Sequence, residues 1–235
     1  MFQSMRIKLK NYIDHSGSGY TQRKASPNVA QHRYNLLMSV RGSFYNTWTG
    51  VYKAVNSNDL ESITYMLDGL TSAQKCDILK IQTGYGSTPL HTAASYGNLP
   101  IITYLMKGLS RQQRCELIRI GDNIYQTALH KAAYYGYSDI ITILMTDLAQ
   151  EQKFDLLIMQ DNYGCTALHK AASAKRGETV QAILDSVLSG LQIQLLCITN
   201  FKNKSPTDVD SGLQAKLSLL LSQGIGLLSI IQTLM

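Results

Sequence analysis

The 235-residue sequence is short of the features that usually mark catalysis or an extracellular fold. Its four cysteines include no C-x-x-C pair, so neither a zinc ribbon nor a redox dithiol is indicated. There is no H-E-x-x-H and no G-x-S-x-G. Gly17-Ser18-Gly19 hints at a phosphate loop, but lacks the preceding strand and the G-x-x-x-x-G-K-[ST] or G-x-G-x-x-G continuation, and reads as linker. Prolines number four and tryptophan one. No apolar run follows the cations of the first ten residues, so no signal peptide is read there. These absences point away from an enzyme, metal or cofactor, and toward reduced thiols in the cytoplasm, with the nucleus or delivery into a host cell left open.

What is present suits a packed core. The chain is 45% hydrophobic and 16% charged, with a net charge of +6. The excess is local. Residues 1–41 hold seven cations against Asp14, and residues 42–235 balance 15 cations with 15 anions. A scattered basic head on a neutral body does not suit nucleic acid wrapping.

The strongest signal is a repeat. Thr88-Pro89-Leu90-His91-Thr92-Ala93-Ala94 returns as Thr127-Ala128-Leu129-His130-Lys131-Ala132-Ala133, and again as Thr166-Ala167-Leu168-His169-Lys170-Ala171-Ala172, each time after 39 residues. One step back lies a worn copy at Thr49–Val55, and one step forward another at Ser205–Asp210. Behind each heptapeptide comes an apolar helical face, such as Ile101, Ile102, Leu105 and Met106. A third piece follows at 71–79, 110–118 and 149–157, and Thr71-x-x-Gln74 and Ser110-x-x-Gln113 in it are capping boxes. Each unit is therefore predicted to be three helices, the third short. "RYNLLM" at 33–38 resembles "KFDLLI" at 153–158, which predicts a half-unit helix over 31–40.

The residue types fit that plan. Thr88 and its equivalents can cap the first helix, and Pro89 and Pro206 occupy a position where a missing N–H costs nothing. The Ala-Ala pairs keep the helix thin. Gly97 and Gly136 are expected to end it in a left-handed conformation, and Lys175, standing in the fourth unit, predicts a different turn there. Three short helices cannot bury enough surface alone, so stability must come from stacking unit on unit.

T-P-L-H-x-A-A followed by a glycine turn and an apolar helix resembles the ankyrin repeat. The resemblance covers 47 to about 222, with three strong copies and two weak ones, and departs from the family in its period of 39 where 33 is usual. It implies an all-α repeat solenoid with an extra short helix per repeat and worn capping repeats. The expected layout is a flexible basic tail over 1–30, a capping helix within 31–46, repeats near 47–85, 86–124, 125–163, 164–202 and 203–222, and an apolar tail or capping segment over 223–235.

The same resemblance implies a non-enzymatic scaffold or adaptor that binds another protein through its turns and first helices. Carried onto this sequence, the turn positions are Gly84, Tyr85 and Ser87, then Asn123, Ile124 and Gln126, then Asn162, Tyr163 and Cys165. The helix positions are Ser95 and Tyr96, Tyr134 and Tyr135, and Ser173 and Ala174. Tyrosine recurs, and suits an interface through its rigid area and hydroxyl, so Tyr85, Tyr96, Tyr134, Tyr135 and Tyr163 are the expected centre of the partner surface. Two further readings stay open: a membrane-associated adaptor anchored by the uncharged stretch 217–235, and a bacterial effector acting on host proteins by the same binding physics.

Three columns invite other chemistry. His91, His130 and His169 lie one unit apart, about 8–10 Å for packed helices, too far to share an ion with 2.0–2.1 Å bonds; a scaffold role is expected. Cys76 and Cys115 continue as Phe154 and Ile193, an apolar core column. Lys53, Lys131 and Lys170 could form a stripe for an acidic partner, although Thr92 interrupts it.

Overall fold

The computed structural model describes residues 27–39 and 50–222. Among these there are fifteen helices and no strand. A half-unit comes first, α1 (Pro27–Ser39). The first unit holds α2 (Gly50–Asn56), α3 (Leu60–Leu67) and α4 (Ser72–Leu79). The second holds α5 (Pro89–Ser95), α6 (Leu99–Met106) and α7 (Arg111–Arg119). The third holds α8 (Ala128–Tyr135), α9 (Ser138–Met145) and α10 (Gln150–Leu157), and the fourth α11 (Ala167–Ser173), α12 (Gly177–Asp185) and α13 (Ser189–Cys197). A fifth has only α14 (Pro206–Val209) and α15 (Ser211–Ser222).

Equivalent helices pack on each other from unit to unit. The first helices α2, α5, α8, α11 and α14 form one layer, α3, α6, α9 and α12 a second, and α1, α4, α7 and α10 a third. Thr88, Thr127 and Thr166 start the first helices, and the alanine pairs at 93–94, 132–133 and 171–172 are buried where those helices meet. The second helices bury the predicted apolar faces, and one core cluster runs from Leu37 to Leu220. The third helices begin as expected. Thr71 and Gln74, and Ser110 and Gln113, close reciprocal capping boxes, while Ala149 keeps half of one by donating its N–H to Gln152 Oε1 at 3.1 Å.

The structure shows what the extra helix does. Cations on the third layer reach forward to the C-terminal carbonyls of the next second helix. Arg33 of α1 donates to the Tyr65 carbonyl. Lys75 of α4 donates to the carbonyls of Tyr104 and Lys107 at 2.7 and 2.8 Å. Arg114 of α7 donates to the Ile143 carbonyl at 2.8 Å. Tyr65, Tyr104 and Ile143 are one position in successive units. A helix end leaves carbonyls unpaired and carries partial negative charge, so a cation there satisfies both. Burial, helped by neighbouring Lys107, lowers the Lys75 pKa to about 8. Helix α1 thus behaves as the third helix of a repeat. It begins at Pro27, ahead of the expected residue 31, since proline is at home in a first helical position. The basic tail before it and the apolar segment 223–235 lie outside the described residues.

One expectation is overturned. Gly97 and Gly136 do close their helices with φ of 69° and 89°, but Lys175 adopts the same left-handed turn at 55°, as does Asn58 in the first unit. The helix that follows in the same unit dictates the turn. Asp59, Asn98, Tyr137 and Arg176 each donate an N–H to the carbonyl of Ala54, Ala93, Ala132 and Ala171, at 2.8–3.0 Å. Packing holds Lys175 where its Cβ is unfavourable. Lys175→Gly is therefore expected to stabilise the fold by roughly 0.5–1 kcal/mol, after the extra freedom glycine gives the unfolded chain. A higher midpoint in urea unfolding would show it; a lower one would refute the strain.

Candidate functional site

The features that could meet a partner are set by the turns between units. Each turn is a pentad, 83–87, 122–126, 161–165 and 200–204, closed by an N–H of its first residue donating to the carbonyl of its fifth at 2.9 Å. The first side chain braces the loop. Asp122 Oδ1 accepts from the N–H groups of Ile124 and Gln126 at 3.0 and 2.9 Å. Asp161 Oδ1 accepts from Tyr163 and Cys165, both at 2.9 Å. Asn200 repeats the pattern with Lys202 and Lys204, and Thr83 accepts from Ser87. The other carboxylate oxygens bind Lys131 Nζ at 2.8 Å and Lys170 Nζ at 2.5 Å. Burial pushes the pKa of both aspartates up, but the lysine and backbone bonds more than offset it and hold them below the usual value. Lys131 and Lys170 are thus committed to their own turns, which removes them from a stripe for an acidic partner.

The turns at 122–126, 161–165 and 200–204 each stand on the histidine of the unit before them. His91, His130 and His169 accept on Nδ1 from the N–H of Thr88, Thr127 and Thr166, each at 3.2 Å. With Nδ1 accepting, Nε2 carries the proton, and it donates to the carbonyls of Gln126, Cys165 and Lys204 at 2.8, 3.0 and 3.0 Å. Burial is the main cause that lowers the pKa of His91 and His130 to about 4, and it lowers that of His169 too. All three are neutral structural locks between units.

Turn also bonds to turn. The N–H of Asn123 donates to the Tyr85 carbonyl at 3.1 Å, that of Asn162 to Ile124 at 3.0 Å, and that of Phe201 to Tyr163 at 3.1 Å. At the fourth pentad position Gly86, Tyr125, Gly164 and Asn203 are all left-handed. A Cβ on Gly86 would sit 2.6 Å from the Asn123 nitrogen, and one on Gly164 2.6 Å from the Phe201 nitrogen and ring. The glycines let the following turn close over them. What the rigid ladder exposes is apolar: Tyr85 at 80%, Tyr125 at 65%, Tyr163 at 61% and Phe201 at 73%, with Ile124 beside Tyr125 at 38%.

The structure separates the sequence-derived residues into two sets. Tyr85, Asn123, Ile124, Asn162 and Tyr163 are exposed on the turns, with Ser87 and Gln126 half-buried at their bases. Gln126 bridges Asp161 and Lys131, and Asn123 donates Nδ2 to the Gly84 carbonyl. Tyr96, Tyr134 and Tyr135 are exposed at the other end of the first helices, about 10 Å away for seven residues. There Tyr134 meets Tyr135 edge-on at 5.2 Å, Tyr135 stacks on Tyr137 at 6.2 Å, and the Tyr96 hydroxyl donates to Asn56. Ser95 is half-buried and bonds the His91 carbonyl. Sequence reasoning missed Tyr125 and Phe201. A step of 39 from Gly86 and from Asn162 reaches both.

The family model described as Ankyrin repeat matches residues 85–112, and that described as Ankyrin repeats (3 copies) matches residues 115–195. This is an ankyrin-repeat protein. No curated protein matches it. The ankyrin repeat is a protein–protein interaction module, and the family matches take in the turns at 122–126 and 161–165 and the helices around them. Elsewhere in this ankyrin protein, burial raises the pKa of Cys76, Cys165 and Cys197, which disfavours the thiolate. Among the described residues no helix is long and apolar enough to cross a membrane.

Proposed function

We propose that this chain is a non-enzymatic scaffold or adaptor that docks a partner protein on the tips of its turns, with the tyrosine cluster at the far end of α5 and α8 as a second, smaller contact. One observation carries the reading: large apolar side chains stand exposed on four successive turns whose backbones are locked to one another. Exposed aromatics in a contiguous set favour association, and a preformed backbone loses little freedom on docking. Two anchors, Tyr85 and Tyr163, carry the largest expected share, since few residues dominate an interface. A cytoplasmic location suits four unpaired cysteines.

A photo-crosslinking phenylalanine analogue at Tyr163 is expected to trap a protein from the native lysate. The same analogue at Ile158, 37% exposed near the end of the third helix, is expected to trap much less. Equal yields from both positions, or none from Tyr163, would refute a fingertip site.

A further inference from the structure

Resting on that fingertip reading, we infer that the turn 200–204 is its charged end, and that it takes an acidic segment of the partner protein in which an apolar residue is flanked by aspartate or glutamate. A step of 39 carries the tip position from Tyr85 to Ile124, Tyr163 and Lys202, so a cation replaces the apolar side chain at the fourth tip. The same step explains why that cation is free. In the second and third turns the brace is an aspartate, whose outer oxygen holds a lysine of the following helix, Asp122 with Lys131 and Asp161 with Lys170. In the fourth turn the brace is Asn200, and Val209 stands where that lysine would be. The amide oxygen repeats both backbone bonds, to the N–H groups of Lys202 and Lys204 at 2.9 and 3.2 Å, without bringing a negative charge. Its Nδ2 turns to Cys165 Sγ at 3.8 Å. Lys202 and Lys204 are exposed, and no ion pair among the described residues includes them. Asp208, the acid that Lys204 influences, is engaged at the start of α14, where Oδ2 accepts from the Ser205 N–H and hydroxyl, both at 2.7 Å.

The backbone beneath these cations is held from three sides. The Lys204 carbonyl accepts from the Asn200 N–H at 2.9 Å and from His169 Nε2 at 3.0 Å, and the Phe201 N–H donates to the Tyr163 carbonyl at 3.1 Å. The exposed Phe201 ring lies against Gly164, where a Cβ would meet it at 2.6 Å, so it continues the apolar surface of the turn before. An apolar side chain of the partner covers that ring, and carboxylates on either side of it reach Lys202 and Lys204. Each exposed ion pair adds little affinity, but together they fix the orientation of the segment and speed its arrival. Nucleic acid is a poorer fit, because a phosphate backbone is met by a row of cations. The turn 83–87 carries no charge, and the lysines that reach the turns 122–126 and 161–165 are paired with aspartate.

Titration of the isotope-labelled whole chain with the capped peptide Glu-Glu-Leu-Tyr-Glu-Glu, followed by amide NMR shifts, tests this. Shifts are expected to concentrate at residues 200–204 and at Tyr163, and to saturate with a Kd of about 0.1–2 mM. Raising the salt from about 50 to about 300 mM should weaken binding at least fivefold. Lys202→Glu/Lys204→Glu should weaken it at least tenfold, with an unchanged circular dichroism spectrum. The same peptide with lysine in place of glutamate should leave residues 200–204 unshifted. Absence of shifts there up to about 5 mM, equal binding by the double variant, equal binding of the lysine peptide, or tighter binding of a short DNA duplex would each overturn the inference. A chain that ignores the acidic peptide yet still cross-links a protein through Tyr163 loses the acidic-segment inference alone; one that does neither loses the fingertip reading as well.

Discussion

Replacing His130 by alanine is expected to cost about 3–5 kcal/mol of stability. The imidazole is 1% exposed and ties three things together: the Thr127 N–H, the Thr127 hydroxyl and the Cys165 carbonyl of the next unit. Alanine leaves a buried donor and a buried acceptor unpaired, each at roughly 1–3 kcal/mol, and a small void besides. The position lies mid-stack, between α8 and the turn that leads into α11, so the loss falls on an interface that both halves need. His130→Gln separates the contributions. A glutamine three residues into a helix can still accept from the N-cap N–H, but it does not span to Cys165. About half the loss should remain. Urea unfolding of the three proteins measures both, and an alanine variant within 1 kcal/mol of the parent would refute the lock.

Acid is expected to weaken the stack well above the range where carboxylates titrate. His91 and His130 have a folded pKa of about 4 against about 6.5 for the unfolded chain. Above pH 6.5 both states hold the rings neutral, and the contribution is complete. As the pH falls from 6.5 towards 4, the unfolded chain binds protons that the folded chain refuses, so stability is lost through that window. The loss is roughly 2 kcal/mol per histidine near pH 5. His169 adds to it in the same direction. Asp122 and Asp161, whose folded pKa lies below 3.8, act only at lower pH. The urea midpoint at pH 5.0 should therefore fall clearly below that at pH 7.5. Imidazole resonances of the three histidines should not titrate near 6.5. A midpoint independent of pH across this window would contradict the buried neutral tautomers.

The parts of this fold that one unit encodes alone could be read from its sequence. The threonine cap, the histidine three residues later and the apolar second helix recur with the 39-residue period, so each could be checked against two copies of itself. Bonds between units were less legible. The forward cations Arg33, Lys75 and Arg114 are not one residue type, and the first stands 42 rather than 39 residues before the second. The carbonyls they reach are backbone atoms, which leave no mark on side-chain pattern. The left-handed turn at Lys175 was misread because local preference favours glycine there, while hydrogen bonds from the adjoining helix impose the same geometry on a lysine. On the binding side, Tyr85 and Tyr163 stand at the tips where the turn pattern put them, but Tyr125 sits in a column otherwise held by glycine and asparagine, and escaped notice for that reason.

The forward reach of the third layer gives the stack a direction that ordinary side-by-side packing lacks. Every donor belongs to an earlier segment and every acceptor to a later one. A gene that gains or loses one whole 39-residue block keeps each donor opposite an acceptor, because the partners remain in phase. Duplicating such a block therefore lengthens the stack without leaving a bare helix end at the junction.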